Sequence, residues 1–167
     1  SGTLNNLSSA SINVTSLWIL GNGDSSSLTS PVITYASPGT YDVILIASLP
    51  NSCSDTASDV VTIYENPQAD FTADSVCEGL RTTFQNLTIA GSSADLAYDW
   101  DLGDNNTTID PNPLYRYASS GLYSVVVIVT DSNGCTDDAT QDILVREPPL
   151  ADYELLEGCE DADLDLI

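Results

Sequence analysis

The sequence predicts an all-β chain made of two sandwich units in tandem. Three observations carry that expectation: short β-branched segments bounded by turn residues, a repeat with a period of 82 residues, and an almost complete lack of helix signals. The chain has 167 residues, 25 acidic and 3 basic, for a formal charge of −22. The basic residues are Arg81, Arg116 and Arg146, and there is no Lys, His or Met. Such a surface repels phosphate backbones and anionic lipid, so nucleic-acid partners and membrane-surface binding are not expected. Acid–base and nucleophilic catalysis most often recruit His or Lys, and His-built zinc sites need His. A hard oxygen-ligated cation such as calcium stays possible. Apolar residues make up 42% of the chain, too many for a disordered acidic tail. No apolar run reaches about 18 residues, so membrane insertion is not expected. No secretion signal is visible, and the sequence reads as a mature or excised fragment.

The repeat sets the domain organisation. Eighty-two positions separate Trp18 from Trp100, Leu20-Gly21 from Leu102-Gly103, Pro31 from Pro113 and Tyr35 from Tyr117. The same offset joins Gly39 to Gly121, Tyr41 to Tyr123, Val43 to Val125, Cys53 to Cys135, Pro67 to Pro149 and Cys77 to Cys159. Before Trp18 the offset becomes 80, where Leu4-Asn5-Asn6-Leu7-Ser8 resembles Phe84-Gln85-Asn86-Leu87-Thr88. A loop is therefore two residues longer in the second copy. Residues 1–66 read as a repeat lacking its first strand, 67–148 as a whole repeat, and 149–167 as the opening of a third. The expectation is a segment of a longer array.

Each element follows from its residues. Leu122 to Val129 is β-branched, opens after Gly121 and enters a hairpin with an Asn-Gly turn at Asp131-Ser132-Asn133-Gly134. Its counterpart runs from Tyr41 to Ala47, followed by Leu49-Pro50-Asn51-Ser52. Ala139, Gln141, Ile143 and Val145 mark the partner strand, matched by Ala57 to Ile63. Thr82-Thr83-Phe84 and Leu96 to Leu102 supply two more strands. Short strands separated by turns fit two antiparallel sheets face to face. The acidic stretch Glu157 to Ile167 looks helical in isolation, but the repeat makes it the turn and second strand of the next copy.

Tyr98-Asp99-Trp100-Asp101-Leu102-Gly103-Asp104 resembles the YxWDFGDG signature of PKD (polycystic kidney disease) domains. Pro113 to Tyr117, Gly121 to Val125 and Asp131 to Gly134 follow in the family's order. The first copy keeps Trp18, Leu20-Gly21-Asn22-Gly23-Asp24, Tyr35, Gly39 and Tyr41, but has Ile19 and Asn22 where the motif has Asp. The second copy has Asn105 in place of the final Gly. The resemblance implies tandem immunoglobulin-like (PKD) β-sandwich repeats. Trp18 and Trp100 are then core residues between the sheets. Tyr35, Tyr117, Tyr41 and Tyr123 flank Gly39 and Gly121 at a corner where a phenol buries its ring and bonds backbone.

Cysteines before the second strand and after the hairpin make the repeats similar to those of very large secreted Bacteroidota adhesins, of the SprB-like gliding-motility kind. Four cysteines, Cys53, Cys77, Cys135 and Cys159, suit an oxidising, extracellular setting. In the implied topology Cys77 and Cys135 stand at opposite ends of strands roughly 25–35 Å long. A disulfide needs Cα atoms within about 7 Å. The favoured expectation is a staple across each domain junction, Cys77 to a hairpin cysteine beyond Ile167 and Cys135 to one before Ser1. Free thiols and pairing within a domain stay open.

Some PKD domains of secreted collagenases are stabilised by calcium near the linker and the loop before the Trp strand. The loosely matching positions are Asn66, Asp95 and Asp131; a solvated acidic surface is the competing reading. Asp55-Thr56-Ala57 and Asp74-Ser75-Val76 resemble the Bacteroidota O-glycosylation signal, which makes Thr56 and Ser75 candidate acceptors. Proline-bearing junctions at 64–68 and 146–150 are semi-rigid.

The leading functional expectation is a structural segment of a secreted cell-surface filament or adhesin, transmitting force as in gliding. Its partners are neighbouring repeats, with surface polysaccharide or other cell-surface proteins beyond them. The alternative is an accessory PKD module of a secreted hydrolase, which an exposed aromatic row at Tyr98 and Tyr115 would favour. Catalysis by a carboxylate pair such as Asp99 and Asp101 is the least supported reading, because carboxylates beside a turn bond backbone.

Overall fold

The computed structural model describes residues 2–9, 14–50 and 53–153; Cys159 and most of the third repeat's opening lie outside them. Every regular element described is a strand. The first unit contains β1 (Gly2–Thr3), β2 (Thr15–Ile19), β3 (Ser25–Ser26), β4 (Val32–Ile33), β5 (Gly39–Ser48) and β6 (Ser54–Ile63). The second contains β7 (Phe71–Ala73), β8 (Thr82–Asn86), β9 (Leu96–Asp101), β10 (Thr107–Thr108), β11 (Leu114–Tyr115), β12 (Gly121–Asp131) and β13 (Thr136–Val145).

One sheet is the same in both units: β3-β2-β5-β6 and β10-β9-β12-β13, all antiparallel. Trp18 pairs with Leu45, and Trp100 with Val127, at one offset of 82. The facing sheets differ. In the second unit β8 lies between β11 and β7; in the first, β1 pairs with β4 alone among the described strands. Here the first strand of each pair is offset by 80 and the second by 82: Thr3 pairs with Val32 as Thr83 pairs with Leu114. The next hydrogen bond repeats too, Leu4 N–H to Pro31 O at 3.1 Å and Phe84 N–H to Pro113 O at 2.9 Å. The two-residue insertion therefore falls in the loop leading to the Trp strand.

Strand alternation builds the core. In β12, Val125, Val127 and Val129 point inward and are fully buried, while Leu122 and Ile128 face solvent. They meet Trp100, which lies edge-on to Phe71 at 4.9 Å and tilted to Phe84 at 5.6 Å. Among the described residues, the first unit's buried hydrophobic cluster is smaller: Trp18, Leu20, Val43 and Leu45. In both units the indole N–H is buried without a partner, so the ring is held by its area and not by a hydrogen bond.

The turn after each Trp strand is set by backbone conformation. Gly103 has φ 81°, and a Cβ there would lie 2.6 Å from the Ser124 carbonyl oxygen, so β12 crosses too close for any side chain. Two residues on, Asn105 has φ 70° where the first copy has Gly23 at φ 94°. The missing motif glycine is thus replaced by a residue type whose short polar side chain tolerates the left-handed region. The β12–β13 hairpin departs from a two-residue Asn-Gly turn. Its connection spans Ser132 to Gly134, Gly134 alone takes positive φ, and Asp131 N–H bonds Cys135 O at 2.9 Å. That is a type I turn followed by a left-handed glycine.

Two outcomes follow for the second unit's urea transition. Trp100→Ala costs about 3–5 kcal/mol, whereas Trp100→Phe costs about 1–2 kcal/mol because no indole hydrogen bond is lost. Asn105→Gly raises the midpoint, and Asn105→Ala lowers stability by about 1 kcal/mol.

Candidate functional site

The linker end of the second unit holds the three positions singled out as loose cation candidates, Asn66, Asp95 and Asp131. Pro67 is fully buried. Glu65 donates its N–H to Ser92 Oγ at 2.7 Å and accepts from Ser92 N–H at 3.1 Å. Gln68 and Ile89 exchange two backbone bonds of 2.8 and 2.9 Å, and Ala69 N–H reaches Asp137 Oδ2 at 2.8 Å. Gly91 makes this closeness possible, since a Cβ there would collide with the Glu65 and Asn66 carbonyls. The junction is thus sewn to the unit it enters. Gly91 and Ser92 escape sequence reading because they lie in the loop where the offset changes from 80 to 82, so no fixed alignment with the first copy marks them.

Asp95 and Asp131 come close at this end, while the backbone of Asn66 packs against Gly91. The register sets Asp131 opposite Leu96, and Asp95 O accepts from Ser132 N–H at 3.2 Å. The buried Asp131 carboxylate is committed to the hairpin. Oδ1 accepts from Asn133 N–H at 2.9 Å and Cys135 N–H at 2.8 Å, and Oδ2 accepts from Asn133 Nδ2 at 3.2 Å. Burial pushes its pKa up, but the bonds from Cys135 and Asn133 outweigh this and hold it below the usual carboxylate range. Among the described residues no group of three or more His, Cys, Asp or Glu is placed to hold a metal ion.

The tyrosine corner is present twice. Tyr117 Oη donates to Leu102 O and Tyr35 Oη to Leu20 O, both at 2.9 Å. Tyr123 bonds Ser119 O and Tyr41 bonds Ser37 O, both at 2.8 Å. The rings stack at 4.0 Å in the second unit and 4.1 Å in the first. Burial, then the Asp104 charge, raises the Tyr117 phenol far above its ordinary value. At Gly121 a Cβ would make only ordinary contact with the Tyr123 ring, at 3.7 Å, so space does not demand the glycine. Tyr98 and Tyr115 do not form an exposed row: both pack against the core. Tyr115 also donates to Asp104 Oδ2 at 2.7 Å and accepts from Asn106 Nδ2 at 2.8 Å.

Cys53, Cys77 and Cys135 are free thiols, so no disulfide closes among the described residues. Cys77 lies at the exit, in a parallel bridge with Arg146, whereas Cys135 lies at the far end of β13. Burial first, then the Asp131 charge and a hydrogen bond to its carboxylate, raises the Cys135 thiol pKa and lowers its thiolate fraction. Thr56 and Ser75 are exposed.

The Asp131 bonds make a pH prediction. Its folded-state pKa lies below the unfolded value of about 3.9. Its contribution to stability is therefore complete above that value and is lost as pH falls through the lower folded one. Asp131→Asn lowers the second unit's melting temperature at pH 7, and the gap from the parent narrows in scans at pH 2.

PKD domain family models match residues 64–145 and residues 2–62. Over 71 residues the chain is 35% identical to the pre-pro-metalloprotease PrtV of Vibrio cholerae, covering 42% of this chain and 8% of that protein. Over 82 residues it is 35% identical to a microbial collagenase of Vibrio alginolyticus, covering 47% of this chain and 10% of that one. The chain thus spans a tenth or less of these relatives. Among solved structures, the PKD1 domain of Vibrio anguillarum Epp is 28% identical with a TM-score of 0.47, covering 52% of this chain and all of that one. Two family matches, running between them from residue 2 to residue 145 over two copies of one β-sandwich plan, place the chain in the PKD-domain family.

Proposed function

We propose that this chain is a non-catalytic spacer of a multidomain extracellular protein, an accessory pair that holds neighbouring domains at a set distance. The observation that carries this reading is the sewn linker: buried Pro67, the Glu65–Ser92 pair and the Gln68–Ile89 pair leave little free chain between the units. A tether fixed by hydrogen bonds loses the broad reach of a flexible linker. The composition supports it, because a chain without His or Lys lacks the usual catalytic groups. The relatives named above are a pre-pro-metalloprotease and a collagenase, which favours an accessory module of a hydrolase over the gliding adhesin. Spacing is favoured over substrate capture, since Tyr98 and Tyr115 are spent on the core and on Asp104. An extracellular setting agrees with the acidic surface and with those relatives. The filament reading rests on the third repeat's opening at Pro149-Leu150-Ala151-Asp152.

Spin labels on Cys53 and Cys135, with Cys77 and Cys159 changed to Ser, test the spacer. A narrow distance distribution is expected, and Gly91→Ala broadens it by forcing the linker off its loop. A broad distribution in the parent chain overturns the reading.

A further inference from the structure

The two units turn different faces to solvent. The sheet β3-β2-β5-β6 of the first unit and its counterpart β10-β9-β12-β13 each have an outer face, the side directed away from the core. Residues directly opposite on an antiparallel ladder share a face, so the registers read it out. On the outer face of the first unit Leu17 pairs with Ile46, Ile19 with Ile44, and Val60 with Asp42. Leu17, Ile19 and Val60 are 43%, 39% and 55% exposed, and Ile44 and Ile46 are half-buried. Thr56 and Ser58 flank them on the same face. Asp42 is the only carboxylate on that face among the described strands. At the 82-residue offset the second unit keeps the two central positions apolar, as Val126 and Ile128. It has Asp99 for Leu17, Asp101 for Ile19 and Asp142 for Val60. With Asp138, its outer face carries four exposed carboxylates. One plan thus has an acidic outer face in one copy and an apolar one in the other. These side chains point away from the core, so core packing does not explain the exchange. A contiguous apolar patch on an exposed face marks a contact surface.

Charge selects the occupant. A surface that covers this face must not bring carboxylates onto it, because a buried charge left unpaired is strongly destabilising. The first unit has no Lys or Arg to pair one: Arg81, Arg116 and Arg146 all follow it in the chain. In a chain of charge −22, the sheet face that meets this condition is the same face of another copy. The acidic outer face of the second unit does not meet it. We propose that the outer face of β3-β2-β5-β6 is a dimer interface, and that its occupant is the same face of a second copy of this chain. Leu17, Ile19, Ile44 and Ile46 of one copy then pack on those of the other about a two-fold axis. Such a contact uses one patch twice and closes at two chains. Twisted sheets stack face to face in this way with their strands about 30° apart. Asp42 borders the patch at one end of its row on β5 and lies at the wet rim. Two acidic chains repel, so salt strengthens the dimer. The inference goes beyond the spacer reading, since it sets two spacers against each other through their first units.

The test is sedimentation equilibrium of the 167-residue chain across concentration and ionic strength. A monomer–dimer equilibrium that moves toward dimer with both is expected. Leu17→Asp combined with Ile19→Asp gives the first unit the residues that the second carries, and weakens the dimer about a hundredfold or more. The second unit folds with this pair on β9, where Asp101 Oδ1 accepts Gly103 N–H at 2.9 Å, so the variant keeps its fold, as circular dichroism checks. Val60→Asp, on the edge strand β6, is a milder second variant and weakens the dimer about tenfold. Ile128→Asp, on the outer face of the second unit, leaves the dimer in place. Four results overturn the proposal. One is a monomer under every condition, which gives the face to a different protein. Another is a dimer that neither first-unit variant weakens. The third is a dimer lost equally with Ile128→Asp. The last is a series of species growing past the dimer, which a two-fold contact forbids. None of these bears on the rigidity of the linker, which label distances in the Leu17→Asp, Ile19→Asp background read separately.

Discussion

The fold depends on one aromatic contact across two sheets. Trp100 stands on β9 at the centre of one sheet, and Phe71 and Phe84 come from the other. Everything near it is arranged to let that contact form. β12 supplies valines at alternate positions beneath the indole, and Gly103 lets β12 pass close to the turn that follows. Tyr117 closes the corner by bonding Leu102 O, two residues beyond the Trp. A small domain with one large ring in its core concentrates much of its buried area there. The two units share this plan but not its completeness, because the first lacks a described partner for the Phe71 side of the ring.

How much could be read in the sequence depends on what repeats. Trp18 and Trp100, the two tyrosine corners, and the strands around them were legible because a ring in a core and a phenol at a corner tolerate few substitutes. The shift from an offset of 82 to 80 located the insertion, and the registers of β1 with β4 and β8 with β11 carry the same shift. The linker's fastening was not legible. It relies on Gly91 and Ser92, which lie in the loop where the offset between the copies changes, and on backbone bonds that carry no sequence mark. The aromatic row that would mark substrate capture is not formed by the two tyrosines named for it. Tyr98 and Tyr115 lie on strands of different sheets, and Tyr115 finds a carboxylate partner in Asp104 that sequence spacing did not reveal.

The acidic character also has more than one use. Asp131 is spent on a hairpin and Asp137 on the strand that enters the unit, while Glu78 accepts from Ser120 N–H at 3.0 Å. These carboxylates satisfy backbone groups that the sheets leave over, as polar atoms in a compact fold must. Other described carboxylates, Asp55, Asp99 and Asp142 among them, are exposed, where like charges repel other acidic surfaces at low salt.

The exit of the second unit has a mechanical consequence. Arg146 is gripped on both sides, its N–H by Val76 O at 2.9 Å and its carbonyl by Glu78 N–H at 2.8 Å, in a parallel pairing. A tug arriving through Glu147 runs along the ribbon and across these bonds. Both are strained at once, like the rivets of a lap joint, and neither can peel ahead of the other.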